Sequence, residues 1–481
     1  MAKQRDAVRA RRIGWFGLAA LLGLASGAAQ GADILEVYRL AQASDPTFQG
    51  ARYTLQAAEA KIPQARAGLL PTVTINGSDN QTRASTSYPG ILNDPVARDV
   101  NAWTWTLQLT QPLIRVQNLY AYRESERVVE QARAQYAQAE QDLIQRVAQA
   151  YFDVLVAEEA VAAADAQERA MAQQLDQARH GFDAGTDAIT DVNEAQSKFD
   201  LARAQRVAAS NDLETKRAEL EQITGRPPRS LAALKPAVVI PRPEPPDVKA
   251  WVGRARDNNP AVRADQAALA AAWAEEARNR AEYLPTVDLV ASYGKNYASG
   301  SLTTPQDFGT EQRSRVAGVQ VTIPLYSGGA TGARVDEATA NEYKARTELE
   351  AARRQAATDA RKAYAGIVNG RSQIDALDAA LTSSLSAVKG NRIGYRLGIR
   401  INLDVLNAEE QLFATRRDLA KARYDMLMQG LKLKAAAGVL TEADVATVNG
   451  LLAGARGGPS ELSDGGGNVD TGLAGHDSAH E

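Results

Sequence analysis

The sequence contains the same unit twice. Four motifs return in the second half at a nearly constant offset of 212 to 214 positions: Asp45-Pro46 as Asn259-Pro260, Leu70-Pro71-Thr72 as Leu284-Pro285-Thr286, Gln111-Pro112-Leu113 as Ile323-Pro324-Leu325, and Gly181…Gly185 as Gly394…Gly398. Four motifs at one offset indicate an internal duplication. The chain must therefore fold as two equivalent repeats, predicted at residues 32–225 and 248–440, with a Pro-rich linker at 226–247.

The first 31 residues have the pattern of a secretory signal peptide. A basic start is followed by an apolar run at residues 13–24 and then by small residues. A run of about a dozen apolar residues is shorter than the ~20 that a membrane-spanning helix needs, so a signal peptide is favoured over a single membrane anchor. We therefore expect residues 1–31 to be removed and the mature protein to leave the cytoplasm.

Composition excludes several classes of function. Cysteine is absent and the only histidines are His180, His476 and His480, so thiolate chemistry, disulfides and cysteine zinc sites are ruled out. The formal net charge is −3 although the first residues are basic, which makes the mature chain acidic and a poor candidate for binding nucleic acid. No nucleophile elbow or phosphate loop is present. We expect no enzyme activity, no cofactor and no metal.

Each repeat is predicted to contain a helix, two strands, and then a pair of long helices. Residues 116–179 include no proline or glycine, so one helix could extend roughly 95 Å. Its predicted partner is 187–224, and the second repeat offers 335–389 with 402–437. A soluble coiled coil is the alternative interpretation of these helices. Residues 441–481 form a C-terminal segment whose Gly-, Ser- and Asp-rich tail is expected to be disordered.

The four predicted strands, at about 70–80, 102–112, 285–295 and 314–325, alternate apolar and polar residues. Such alternation fits either a half-buried soluble strand or a membrane strand with lipid on one face and water on the other. The aromatic residues Trp103, Trp105 and Tyr293 favour the membrane, because aromatic side chains anchor such strands at its surfaces. The polar segments 77–101 and 294–313 are then expected to be long outer loops.

Four strands cannot close a barrel, and a sheet in lipid must close because each unpaired backbone group costs several kcal/mol. The smallest outer-membrane barrels have about eight strands, and bacterial ones have even numbers. Several chains must therefore combine their strands. Two chains would give eight strands and three would give twelve, and strand counting leaves both open.

Both pairs of long helices reverse at a Gly-x₃-Gly turn, at Gly181 and Gly185 and again at Gly394 and Gly398. Just beyond the second turn, Asp404 and Asn407 share one helical face. If several chains surround an axis, Asp404 becomes a ring of carboxylates that attracts cations. Alternatively, this aspartate only stabilises the start of its helix through the helix dipole.

The run from Tyr395 through Arg-Leu-Gly-Ile-Arg-Ile-Asn-Leu-Asp-Val-Leu to Asn407 resembles the second-repeat signature of the TolC-like outer-membrane factor family. The run Phe182-Asp-Ala-Gly-Thr-Asp-Ala-Ile-Thr-Asp-Val192 resembles the first-repeat signature, and Pro324-Leu-Tyr-Ser-Gly-Gly329 resembles the exit from strand to helix. The resemblance implies a homotrimer in outer-membrane lipid, with a 12-stranded transmembrane β-barrel (four strands per chain) and an all-α helical tunnel in the periplasm.

The resemblance also implies a function. It predicts a tunnel that docks, through a periplasmic adaptor (membrane fusion) protein, onto an inner-membrane ABC or proton-driven transporter, and that exports proteins (type I secretion) or small toxic compounds. The alternative is a trimeric surface adhesin or a structural periplasmic spacer. That class would place its membrane strands together at one end of the sequence, whereas here they occur in both repeats.

Individual residues take their expected roles from the same resemblance. Asp404 matches a pore-lining aspartate at the constriction, while Asn407 stands where the family has a second aspartate, which weakens the expected charge of the ring. A network that holds the tip shut is expected at Thr190, Asp191, Tyr395 and Arg400. The glycine turns at Gly181, Gly185, Gly394 and Gly398 are expected to dock the adaptor.

Overall fold

A computed structural model describes residues 32–88, 92–186, 188–227, 230–235, 238, 240–302 and 308–452. Its elements, in chain order, are α1 (Ile34–Ser44), α2 (Pro46–Glu59), α3 (Lys61–Ala67), β1 (Thr72–Tyr88), β2 (Leu92–Ile114), α4 (Val116–Asp183), α5 (Ile189–Thr224), α6 (Val248–Asn258), α7 (Pro260–Arg280), a 3₁₀ turn (Ala281–Tyr283), β3 (Thr286–Ala298), β4 (Thr310–Thr322), α8 (Ala330–Arg396), α9 (Asn402–Ala436) and α10 (Glu442–Asn449). The expected signal peptide and most of the expected disordered tail lie outside the described residues.

The two repeats have the same order of elements because the same local signals recur. Asp45 and Asn259 each cap a helix whose first residue is a proline, a position where the missing N–H costs nothing. The strands then follow a Leu-Pro-Thr motif in each repeat. Helices α4 and α8 are 68 and 67 residues long, so each extends roughly 100 Å.

The four strands form one antiparallel sheet in the order β1-β2-β3-β4. The strands of the first repeat are longer than predicted. The expected strands at 70–80 and 102–112 are 72–88 and 92–114, and pairing is continuous from Thr72–Thr110 to Thr86–Val96. The predicted loop at 77–101 is therefore wrong over most of its length. Its Ser, Thr, Asn and Gln residues pair through backbone hydrogen bonds although they lack the alternation of apolar and polar residues that predicts a strand.

In the second repeat the difference is smaller. The expected strands at 285–295 and 314–325 are 286–298 and 310–322, paired in register from Thr286–Thr322 to Ala298–Thr310. Both strands thus extend by several residues into the predicted loop at 294–313. The last three residues of the second predicted strand, including Pro324, follow β4 instead, since proline has no N–H to donate to a ladder.

The helices pack α4 against α5 and α8 against α9, which gives two long hairpins. The largest apolar core lies midway along α4, where Tyr151 and Phe152 belong to one buried cluster with residues from α1, α5, α9 and α10. A second core surrounds Trp251 between α6, α8 and α9, and a third surrounds Met171 between α4, α5 and α9. Among the described residues, no helix is both long enough and apolar enough to cross a membrane.

Segments outside the helices also join this central core. Ala32 forms a parallel bridge with Leu231 of the linker, and Leu234 forms an antiparallel bridge with Leu452 near the end of the described chain. The buried hydroxyl of Tyr151 donates to the backbone carbonyls of Ala32 at 3.2 Å and Ala232 at 2.9 Å. The start of the first repeat, the linker and the segment after α10 are thereby attached to the long helices.

Candidate functional site

The sheet divides its residues between two faces. Paired residues of an antiparallel sheet point the same way, so the register assigns each side chain to a face. One face carries a band of apolar residues: Val73, Ile75, Leu107, Leu109, Val287, Leu289, Ala291, Ala317, Val319 and Val321. The opposite face is mainly polar, for example at Thr74, Gln108 and Ser292. Several of the apolar side chains are exposed in the single chain, with Ile75 at 71%.

Aromatic residues mark one end of the apolar band. Trp103 stacks on Tyr297 with ring centroids 5.8 Å apart, and Trp105 meets Tyr293 edge to face at 5.5 Å. The Lys295 ammonium lies 5.1 Å from the Trp103 ring. From Val287 to Tyr297, a strand with a rise of about 3.3 Å per residue and a tilt of about 40° covers about 25 Å, the height of the apolar band in outer-membrane barrels.

These contacts involve all three predicted aromatic anchors, Trp103, Trp105 and Tyr293, and add Tyr297, which the sequence analysis missed. Tyr297 lies in the segment 294–313, which is predicted to be a loop. Its signal was present, because it continues the alternation of Tyr293 along β3.

The sheet has an unpaired edge on each side. Within the described residues, β1 pairs only with β2 and β4 pairs only with β3, so the outer edges of β1 and β4 have no partner strand in this chain. An edge of unpaired N–H and C=O groups beside an apolar band is incompatible with a sheet that stays open in lipid.

An ion pair joins the sheet to the helices. The Arg115 guanidinium, directly before α4, donates to both carboxylate oxygens of Asp288 at 2.9 and 2.7 Å, and Asp288 is buried at the base of β3. A two-bond arginine–carboxylate contact fixes direction as well as distance. The sequence analysis missed this pair. The available signal was a lone carboxylate in the otherwise apolar run Val287-Asp-Leu-Val290.

The first tip turn, residues 181–185, reverses the chain between α4 and α5. Gly185 has φ +73°, and the Thr186 backbone N–H and hydroxyl both donate to the Gly181 carbonyl, at 2.9 and 3.0 Å. Asp191 accepts a hydrogen bond from the Ala188 N–H at 3.3 Å and so caps α5, while Thr190 is exposed.

The second tip turn, residues 394–398, repeats this geometry between α8 and α9. Gly398 also has φ +73°, and the backbone N–H groups of Ile399 and Arg400 donate to the Gly394 carbonyl at 2.8 and 3.2 Å. The Arg400 guanidinium lies 3.5 Å from the Asp404 carboxylate. A Cβ at Gly394 would lie 2.7 Å from Cγ of Arg400, so any larger residue there would displace the Arg400 side chain.

The predicted site residues thus lie at the two ends of the molecule. Asp404 is half-buried and Asn407 is exposed, one turn apart at the start of α9. Of the expected closure residues, Arg400 forms its ion pair with Asp404 of the same chain, and Tyr395 is half-buried in the last turn of α8.

Two ion pairs near the tip were missed from the sequence. The buried carboxylate of Glu409 on α9 accepts two hydrogen bonds from Arg392 of α8. The ammonium of Lys198 on α5 lies 2.8 Å from the Glu410 carboxylate and so links the two hairpins. Leu406 of α9, fully buried, packs into the apolar cluster of the first hairpin around Met171. The available signal was the helical spacing of Asn402, Leu406 and Glu409, which places the three residues on one face of α9.

Comparison with known proteins agrees with this architecture. The chain matches the model of the outer membrane efflux protein family over residues 37–226 and 251–439, one stretch in each repeat. It is 32% identical to the outer membrane protein TolC of Escherichia coli over 445 residues, covering 90% of this chain and 88% of that one. It is 31% identical to the alkaline protease secretion protein AprF of Pseudomonas aeruginosa over 418 residues, covering 86% of each chain.

Solved structures give the same fold. The outer membrane channel CmeC of Campylobacter jejuni superposes with a TM-score of 0.73 at 17% identity, covering 87% of this chain and 89% of that one. The outer membrane protein VceC of Vibrio cholerae superposes with a TM-score of 0.72 at 18% identity, covering 84% and 96%.

A sheet with an apolar face and open edges, attached to helical hairpins about 100 Å long, defines a subunit of an outer-membrane channel with a periplasmic extension. The chain belongs to the outer membrane efflux protein family. The resemblance found in the sequence is therefore confirmed, together with the fold class and the location in the outer membrane. The family is one of export channels and not of enzymes, and nothing supports the adhesin or spacer.

Proposed function

We propose that three copies of the chain join their sheets edge to edge, β4 of one copy to β1 of the next, and close a 12-stranded barrel in the outer membrane. The observation that carries this proposal is the pair of unpaired edges beside an apolar band, since each exposed backbone group in lipid costs several kcal/mol. Three copies, rather than two, follow from the resemblance to the TolC-like family. The helical hairpins of the three copies then surround one periplasmic tunnel.

The mass of the mature protein in detergent tests this assembly. Light scattering corrected for bound detergent should give three times the mass of one chain, and cysteines introduced at facing positions of β1 and β4 should cross-link neighbouring copies. The same cysteine pair placed on the adjacent strands β2 and β3 is the matched control, which must cross-link within one chain. A complex of two copies, or a monomer that is soluble without detergent, would contradict the proposal.

The tunnel exports proteins or small toxic compounds that an inner-membrane ABC or proton-driven transporter delivers through a periplasmic adaptor. Relatives named for the secretion of proteases, AprF and PrtF of Dickeya chrysanthemi, support proteins as cargo. The tip turns supply a surface for the adaptor, because apolar side chains are concentrated there: Phe182 and Ile189 in the first repeat, and Leu397, Ile399 and Ile401 in the second. Ile399 is 75% exposed, and exposed apolar clusters of this kind mark protein contacts.

The constriction lies at the tip, where three copies of Asp404 form a ring. A half-buried carboxylate repeated around a narrow axis attracts cations and repels anions. Asp404→Asn should reduce the preference for cations in planar-bilayer recordings, and Asn407→Asp should increase it. Unchanged ion selectivity in Asp404→Asn would remove Asp404 from this role.

The closure of the tip rests on Thr190, Asp191, Tyr395 and Arg400, whose side chains lie within one or two turns of the glycines. Replacement of Tyr395 and Arg400 together should raise the conductance of the resting channel.

A further inference from the structure

The two hairpins differ at one matched pair of positions near the tip. In the second hairpin, Arg392 of α8 donates from Nε and Nη2 to Oε1 of Glu409, at 2.9 and 2.7 Å. The residues 213 positions earlier are Arg179 and Gln196 of the first hairpin, joined by one exposed hydrogen bond of 2.7 Å. The arginine is therefore present in both repeats, while its partner is a neutral amide in the first and a carboxylate in the second.

The carboxylate of Glu409 is enclosed by protein. Its side chain is 1% exposed, and its Oε2 atom has no hydrogen-bond partner among the described residues, so both hydrogen bonds converge on Oε1. A buried charge is tolerated only when an opposite charge and hydrogen bonds compensate it. The position of Glu409, and of the helix that carries it, therefore depends on Arg392.

The same part of α8 also holds the backbone beside Asp404. Asn391, the neighbour of Arg392, donates from Nδ2 to the Asp404 carbonyl oxygen at 3.2 Å. Two consecutive residues of α8 thus hold the first two turns of α9, one through the backbone of Asp404 and the other through the side chain of Glu409. The Asp404 carboxylate is half-exposed between these contacts.

Glu410, which follows Glu409 on α9, faces the first hairpin. Glu410 pairs with Lys198 of α5 at 2.8 Å, and the fully buried Leu406 packs beside Met171 and Leu175 of α4. The start of α9 is therefore held by α8 on one side and by the first hairpin on the other. Asp404 lies in this first part of α9. A change in the contact between α8 and α9 must therefore move Asp404 relative to its copies around the axis.

We infer that Arg392 and Glu409 are positioning residues for the constriction: the ion pair between the half-exposed Arg392 and the buried Glu409 sets the location of Asp404 and, through it, the ion selectivity and the closure of the channel. This inference rests on the proposed function, in which copies of Asp404 form the ring. The first hairpin, with Gln196 at the matched position, has no buried charge to hold its helices together there.

Planar-bilayer recordings of the full-length trimer test this inference. Arg392→Gln should change the cation-to-anion permeability ratio and raise resting conductance, each by about twofold or more, since the selectivity of a narrow pore depends on the distance between ring charges. Glu409→Gln should give a smaller change in the same direction, and Arg392→Lys should restore most of the wild-type ratio. The matched control is Arg179→Gln in the first hairpin, which should leave both values unchanged.

Arg392→Gln leaves a buried carboxylate unpaired and could impair folding, so the double variant Arg392→Gln/Glu409→Gln is the second arm. It contains no unpaired charge, but it lacks the ion pair, and its permeability ratio should remain shifted. Thermal unfolding of each variant separates positioning from stability. A lower unfolding temperature with an unchanged permeability ratio in both variants would overturn the inference.

Asp404→Asn, recorded beside these variants, separates the two proposals. If it changes selectivity while the Arg392 and Glu409 variants do not, the positioning role alone is wrong. If Asp404→Asn changes nothing, the constriction and the positioning role are both overturned. An equal effect from Arg179→Gln would also contradict the inference, because the exposed pair of the first hairpin joins α4 to α5 and carries no buried charge.

Discussion

Asp45 in the first repeat and Asn259 in the second occupy the same position, directly before a proline that begins a helix. Each side chain accepts a backbone hydrogen bond as a cap, from the Phe48 N–H to Asp45 and from the Ala261 N–H to Asn259, both at 2.9 Å. Their second contacts differ. Asp45 pairs with Arg146 of α4 at 2.7 Å, whereas the Asn259 amide donates to the Ala436 carbonyl at 2.9 Å.

Tyr151 and Tyr364 make a second matched pair, 213 positions apart. Each hydroxyl donates to backbone carbonyls of an extended segment, Tyr151 to Ala32 and Ala232, and Tyr364 to Pro246. Tyr151 is fully buried, while Tyr364 is half-exposed. Both repeats therefore keep the caps and turns that the backbone requires, and they differ where a side chain contacts another part of the chain.

The largest difference between the repeats should appear in Arg146→Gln. This change leaves the Asp45 carboxylate, 3% exposed, without its cation, and loss of one partner of a buried pair costs about 3 kcal/mol. Burial raises the pKa of Asp45, but the hydrogen bonds from Arg146 and the Phe48 N–H outweigh it and lower this pKa, so the group is charged at neutral pH.

The matched change in the second repeat is Asn259→Ala, which removes a cap and one hydrogen bond and should cost about 1–2 kcal/mol. Unfolding of the purified channel, followed by the helical circular dichroism signal, measures the loss of stability in both variants. A larger loss for Asn259→Ala than for Arg146→Gln would break the comparison.

A smaller contrast is expected between the two tyrosines. Tyr151→Phe removes the hydroxyl that donates to two carbonyls in the central core. It should cost about 1–2 kcal/mol, since the buried Ala232 carbonyl loses this donor, while the Ala32 carbonyl still accepts from the Ala232 N–H at 3.4 Å. Tyr364→Phe should cost about 0.5 kcal/mol or less, because water can replace the hydroxyl at an exposed site. The same unfolding measurement compares the two variants, and equal losses would show that burial does not distinguish them.

The sequence predicted those parts of the molecule that local backbone chemistry determines. Capping residues, glycine turns and alternating strands each carry their signal within a few neighbouring residues, and the register of Trp103 and Trp105 on one face follows from alternation alone. The polar ends of β1 and β2 carry no such signal, because Ser, Thr and Asn are found both in loops and in paired strands that are exposed to solvent.

The side-chain contacts at the tip could not be predicted from the sequence for a different reason. Arg392 and Glu409 are 17 positions apart and Lys198 and Glu410 are 212 apart, so each pair depends on how two helices rotate against each other. That rotation is set by the packing of residues such as Leu406 against the first hairpin, which the helical spacing of α9 alone does not specify.

The smallest difference between the repeats, and the sharpest test of what they share, is expected at the two tip turns. Gly185 and Gly398 have the same φ of +73°, and no atom lies within 4 Å of a Cβ added at either. Alanine there meets only backbone strain, about 1 kcal/mol in each turn. Gly185→Ala and Gly398→Ala should therefore lower the unfolding free energy equally. Unequal losses would mean that the two turns, despite their common backbone, are held by different contacts in the assembled channel.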